Sequence, residues 1–220
     1  MKKNKKRNIL KILVGLIGLA IIIFLIINNH IKNIYVKGNK ILTDQEIIEL
    51  AGIENYPKIF EVSTVKMQNK IKMNQVVESV KVKKNIFGRI DIEIKEYNML
   101  LKDEVDNGIY LANGKKITID EFIKGLPSLI NVVPEDVLNL FLKKLENVDK
   151  NILPKISEIE YKPNEYDKEL FLLYMNDGNY VYINTTRLSS INKYEGMLEQ
   201  LDGKKGIIYL DSGNHFEILN

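Results

Sequence analysis

The chain has no cysteine and only two histidines, His30 and His215, far apart in sequence. The first absence rules out disulfides and zinc sites built on thiolates, so a folded region must rely on its hydrophobic core. With 45% hydrophobic residues, such a core is affordable. The second leaves His215 as the one histidine away from the N-terminal apolar segment for a Ser–His–acid arrangement, and no serine sits in a nucleophile-elbow context. G-x-S-x-G, H-E-x-x-H, P-loop and G-x-G-x-x-G patterns are all missing. Carboxylates are plentiful, and a pair could in principle form a hydrolase centre. Their places in alternating strands and polar helix faces read more simply as solvated surface. Internal repeats and low-complexity tracts are also absent. The expectation is therefore no catalytic residue, no metal and no cofactor.

Charge is unevenly spread. Lys2, Lys3, Lys5, Lys6, Arg7 and Lys11 put +6 into the first eleven residues, and the net charge of the whole is +3. The remainder is mildly acidic, without the basic footprint that nucleic-acid binding requires. The basic cluster instead flanks a long apolar run, Ile12, Leu13, Val14, Gly15, Leu16, Ile17, Gly18, Leu19, Ala20, Ile21, Ile22, Ile23, Phe24, Leu25, Ile26 and Ile27. Counted from Ile9, with Lys11 as the one interruption, the run has a helical length of about 28 Å, close to the hydrocarbon thickness of a bilayer. No small-x-small cleavage site follows it, which favours an uncleaved anchor over a signal peptide. Positive charge stays inside, so the expected topology is a cytoplasmic tail (1–11), a transmembrane helix (12–28) and an extracytoplasmic remainder.

Beyond the anchor, residues 34–97 read as β-α-α-β-β. Ile34-Tyr35-Val36 is a short strand. Thr43-Asp44-Gln45-Glu46 is a capping box opening a helix that stops at Gly52. Ser63 caps a second helix over 64–72. Val76–Lys83 pairs with Arg89–Glu96, where charged and apolar residues alternate at every step as in a strand with one wet face. Residues 98–220 read mainly as hairpins. Asn113-Gly114 signals a type I′ turn between 109–111 and 116–118. A further strand is expected in 126–131 and a helix from Pro134, whose apolar face holds Leu138, Phe141, Leu142 and Leu145. Strands are expected at 156–161, 170–175 and 180–183. A helix capped by Ser189 or Ser190 precedes a last pair, 207–210 and 216–219. Tyr174, Tyr180, Tyr182 and Tyr209 suit either a binding surface or half-buried sheet positions, and their β-propensity favours the sheet. The fold class is α+β: one transmembrane helix, a small α/β domain, and a β-rich domain with two helices.

In this order the elements resemble the FtsQ/DivIB family of bacterial cell-division proteins. Tyr35-Val36-Lys37-Gly38-Asn39, Leu42-Thr43 with Glu46-Ile47 through Ala51-Gly52-Ile53, Lys58-Ile59-Phe60-Glu61-Val62, Val80-Lys81-Val82, Ile90–Glu96 and Leu111-Ala112-Asn113-Gly114-Lys115 carry the likeness. Gly88 and Tyr97 depart from the proline and arginine that the family often has near the last strand of its POTRA domain. One residue follows the last expected strand, so the disordered tail of some members is not expected here. The resemblance implies a POTRA domain (31–97), a β domain (98–220) and a non-enzymatic scaffold of the divisome at the septal membrane. It further implies binding of FtsL-type and DivIC/FtsB-type partners by strand addition to the last ladder, over Ile207, Ile208, Tyr209, Leu210, Asp211, Phe216 and Ile218. No small-molecule substrate is implied. The alternatives are a POTRA-type binding module of a sporulation or secretion machine, since fold does not fix function, and a cell-wall hydrolase.

Overall fold

A membrane-length helix, α1 (Lys2–Ile27), opens the computed structural model, which describes residues 2–118, 123–201, 203–213 and 215–219. Its segment Leu10–Ile27 is long and apolar enough to cross a bilayer, and fits a transmembrane anchor. The chain divides into two compact units, 1–96 and 97–220.

In the first unit, β1 (Asn33–Lys37), α2 (Asp44–Ala51), α3 (Thr64–Lys72), β2 (Val77–Lys84) and β3 (Arg89–Glu96) follow in order. The sheet order is β1-β3-β2, with β1 parallel and β2 antiparallel to β3. The alternation in β3 buries Ile90, Ile92 and Ile94 against Ile47, Met67 and Ile71 of the helices. Both expected caps are present. Thr43 accepts from the Glu46 N–H while Glu46 accepts from Thr43, and Ser63 accepts from Lys66. Gly52 closes α2 at a φ of 69°.

One contact was invisible in the pattern. The Glu96 carboxylate, only 8% exposed, accepts hydrogen bonds from the backbone N–H groups of Lys40, Ile41 and Leu42 at 2.7, 2.7 and 2.9 Å. Three successive amides aimed at one anion form a backbone nest. Here an internal carboxylate fills it, pinning the β1–α2 loop to the end of β3.

The second unit is a nine-stranded sheet. Its strands are β4 (Met99–Asp103), β5 (Gly108–Leu111), β6 (Lys116–Ile117), β7 (Ser128–Leu129), β8 (Ile156–Tyr161), β9 (Leu170–Met175), β10 (Tyr180–Asn184), β11 (Gly206–Tyr209) and β12 (His215–Ile218). They lie in the order β12-β11-β10-β9-β8-β7-β4-β5-β6. Two helices, α4 (Glu135–Leu145) and α5 (Tyr194–Gln200), and a 3₁₀ segment, Thr185–Lys193, contribute to the core. Phe141 of α4 stacks on Phe171 of β9 with ring centroids 4.0 Å apart. Leu188, Ile191 and Tyr194 are fully buried beside them. The Tyr194 hydroxyl donates to Asp177 and accepts from Asn179 Nδ2, and burial pushes its pKa up.

Several expectations change in detail. Strand β4 escapes period-two reading because a bulge between Met99 and Leu101 buries two neighbours, Leu100 and Leu101. The 126–131 strand shrinks to two residues. The helix begins one residue after Pro134, which is its cap. The turn at Asn113-Gly114 is not type I′, since in it only Gly114 has positive φ, at 80°. Gly114 N–H donates to Leu111 and Leu111 N–H to Lys115, a type I turn closed by a glycine bulge. Asn184, not Ser189 or Ser190, caps the helical stretch, its side chain accepting from Arg187 N–H. Both serines lie inside the 3₁₀ segment.

Candidate partner-docking site

The seven residues singled out near the end of the chain fall on the terminal ladder and its connecting loop, where they divide by position. β11 is an interior strand: it pairs parallel with β10 through Tyr180↔Ile207 and Tyr182↔Tyr209, and antiparallel with β12. Its backbone is therefore engaged on both sides. Ile208 and Leu210 are buried in the core. Tyr209, Ile207 and Asp211 are half-buried, and one Asp211 carboxylate oxygen is buried without a hydrogen-bond partner among the described residues.

β12 is the edge. Leu219 N–H bonds to Lys205 just past the strand. In an antiparallel ladder bonded residues alternate, so this bond places the ladder at 215, 217 and 219 and turns the N–H and C=O of Phe216 and Ile218 away from β11. Those groups form an open strand edge. Phe216 lies opposite Ile208 and packs on the main core, while Ile218 is exposed. Gly206 permits this pairing by its size. A Cβ there would overlap the Glu217 carbonyl oxygen and meet the Phe216 ring.

On the other side of the strand, Tyr182, Tyr209 and His215 form a stacked row through three strands, with centroid spacings of 5.3 and 4.4 Å. Tyr209 donates to Glu217 at 2.9 Å, which raises the tyrosine's pKa, and slight burial adds to this. Farther along the same face Tyr174 donates to Glu160, and that bond with burial pushes its pKa up to about 12. Tyr180 meets Tyr174 edge to face at 5.4 Å. All four tyrosines are thus half-buried sheet residues, as their propensity suggested.

Sequence reasoning missed the groove beside the edge. A cavity of about 400 Å³ opens between α5 and the last two strands, lined by Met197, Gln200, Leu201, Ile208 and Phe216. Its signal was weak because α5 is short and Gly196 interrupts its apolar pattern. Among the described residues no three His, Asp or Glu side chains converge as metal ligands.

Residues 29–97 match the model of the POTRA domain, FtsQ-type. Over 99% of its length the chain is 30% identical to the cell division protein DivIB of Bacillus subtilis, of which it covers 87%. The chain belongs to the DivIB family. The DivIB of Listeria monocytogenes is 28% identical over 99% of this chain and 85% of that protein. Among solved structures, the major extracytoplasmic domain of DivIB from Geobacillus stearothermophilus matches 49% of this chain with 22% identity and a TM-score of 0.42. DivIB membership makes this a cell-division protein with a POTRA domain and a membrane-anchoring helix, and the family is not a known family of enzymes.

Proposed function

We propose that this chain is a non-enzymatic scaffold of the divisome, held by one span with its N-terminus in the cytoplasm and concentrated at the septum. It bridges early and late division proteins by binding FtsL-type and DivIC/FtsB-type partners through the β domain. The observation that supports this most directly is the outward-facing backbone of Phe216 and Ile218 beside an apolar groove. An extended partner segment adds as a strand to β12, gaining main-chain hydrogen bonds, and sets alternate side chains into the groove against Met197 and Phe216. Family membership supports the division role, and the open edge supports this mode of binding.

Ile218→Pro tests the edge. Proline removes one outward N–H without touching the bonds to β11, because the Ile218 amide faces away from that strand. With full-length protein in detergent and FtsL-type and DivIC-type proteins from the same organism, binding should weaken about tenfold, the worth of one hydrogen bond plus a lost close approach. Tyr209→Ala and Phe216→Asp should weaken it too while circular dichroism stays native. Unchanged affinity in Ile218→Pro would remove strand addition at β12 from consideration.

A further inference from the structure

Among the described residues, three hairpin turns share one backbone construction. In each, a glycine with positive φ donates its N–H three residues back: Gly88 to Asn85, Gly114 to Leu111 and Gly178 to Met175. The tip residues of the last two are Ala112-Asn113 and Asn176-Asp177, small or polar as turn tips ordinarily are. The first carries Ile86-Phe87 instead. Nothing in the turn geometry asks for them. The Asn85 side chain already fixes the turn by accepting from the N–H groups of Phe87 and Arg89. Ile86 is 46% exposed and Phe87 74%. A neighbouring loop adds Phe60, 48% exposed.

Both loops are tied to the residues that leave the membrane helix. Asn29 Nδ2 donates to the Ile86 carbonyl at 2.9 Å, and Ile59 N–H donates to the Asn29 carbonyl at 2.9 Å. Lys32 N–H donates to Gly88 at 2.8 Å. Gly88 is buried against this segment, where a Cβ would overlap the His30 carbonyl. The helix ends at Ile27. Two residues of chain span at most about 7 Å, so Asn29 and everything bonded to it stay at the level of the lipid headgroups. Cations accompany the apolar tips. Lys32 and Lys58 flank them, Lys58 having an exposed ion pair with Glu61 at 3.9 Å. Lys84 donates to the carbonyls of Ile59 and Val62 and lies 5.8 Å from the Phe60 ring. Aromatic and aliphatic tips ringed by lysines are the composition of a membrane-interface surface.

We propose that Ile86, Phe87 and Phe60 insert into the leaflet from which the helix emerges, with Lys32 and Lys58 on the lipid phosphates. The POTRA-type unit then rests on the bilayer its helix crosses and has a second attachment to it. Lipid is the occupant because the chain itself holds these side chains at the bilayer surface. The proposal rests on the reading of α1 as a membrane anchor.

The absence of native cysteine makes the test clean. Single variants of the full chain, Phe87→Cys, Met73→Cys and Leu19→Cys, are labelled with an environment-sensitive dye and reconstituted into vesicles of phosphatidylethanolamine and phosphatidylglycerol. Met73 is exposed and caps α3 shortly before β2, a strand about 23 Å long that ends at Lys84 beside the tips. The dye at 87 should be several-fold less quenched by aqueous iodide than the dye at 73, and it should be quenched by nitroxide-bearing lipids. Adding Ile86→Ser and Phe60→Ser should abolish that protection. Equal iodide quenching at 87 and 73, in a chain with native circular dichroism, would overturn the proposal. That result would assign the tips to a protein partner missing from the vesicles. Lipid quenching at 19 reports the anchor separately, so failure of the insertion and failure of the anchor are told apart.

Discussion

At the residue scale, single side chains do work that no pattern announces. Glu96 breaks the charged–apolar alternation of its strand: it stands in phase with the inward Ile90, Ile92 and Ile94, a charged residue at a buried position. Its carboxylate satisfies three successive backbone donors of the half-buried loop before α2. Charge-assisted bonds of this kind contribute more than neutral ones, and removing the acceptor leaves donors unsatisfied. Glu96→Ala should therefore lower the stability of the first unit by about 2–4 kcal/mol, whereas Glu96→Gln, keeping an acceptor oxygen, should lose less. Urea denaturation of the two variants against the parent checks both the size and the order. Asp103 is likewise a buried carboxylate, in the second unit. Burial pushes its pKa up, but Lys116 at 2.9 Å and the N–H groups of Asp106 and Val105 outweigh this and hold it below the ordinary carboxylate value.

At the element scale, legibility followed regularity. Strand β3 and the Thr43 capping box were readable because each is a local rule obeyed by consecutive residues. Strand β4 was not, because its bulge sets two leucines inward in succession. Two-residue strand β7 is held by parallel pairing to both β4 and β8, partners distant in sequence, and no local pattern can encode that. The Asn184 cap was passed over since serines closer to the apolar run offered the same chemistry. The sheet edge at β12 was half legible: the last strand pair was evident, but which member is outermost depends on β10 binding β11 from the other side. Gly206 controls that edge. Gly206→Ala should part β12 from β11, because the new methyl overlaps the Glu217 carbonyl. Hydrogen exchange should show lost protection at Glu217 and Leu219, the ladder positions, with β9 and β10 unaffected. Partner binding should fall with it, if the edge is the docking strand.

At the scale of the whole molecule, one helix carries the location and two units carry the structure. The helix is apolar all round over Ile12–Ile27, as suits a segment surrounded by lipid. A charge in its middle should be costly. Ile21→Arg is expected to reduce insertion by about 2.5–3.5 kcal/mol on the apparent translocon scale, read as a shift of the full chain into the carbonate-extractable fraction. Ile21 belongs to neither core cluster, so the substitution spares both cores, and loss of function would then report loss of place. The nest around Glu96 has a further consequence in time. Its donors are at residues 40–42 and its acceptor more than fifty positions later, so during synthesis the loop before α2 emerges from the ribosome well before the group that fixes it. The first unit can collapse early around its isoleucines, but its final closure waits for residue 96 to leave the exit tunnel, when translation has already entered the second unit.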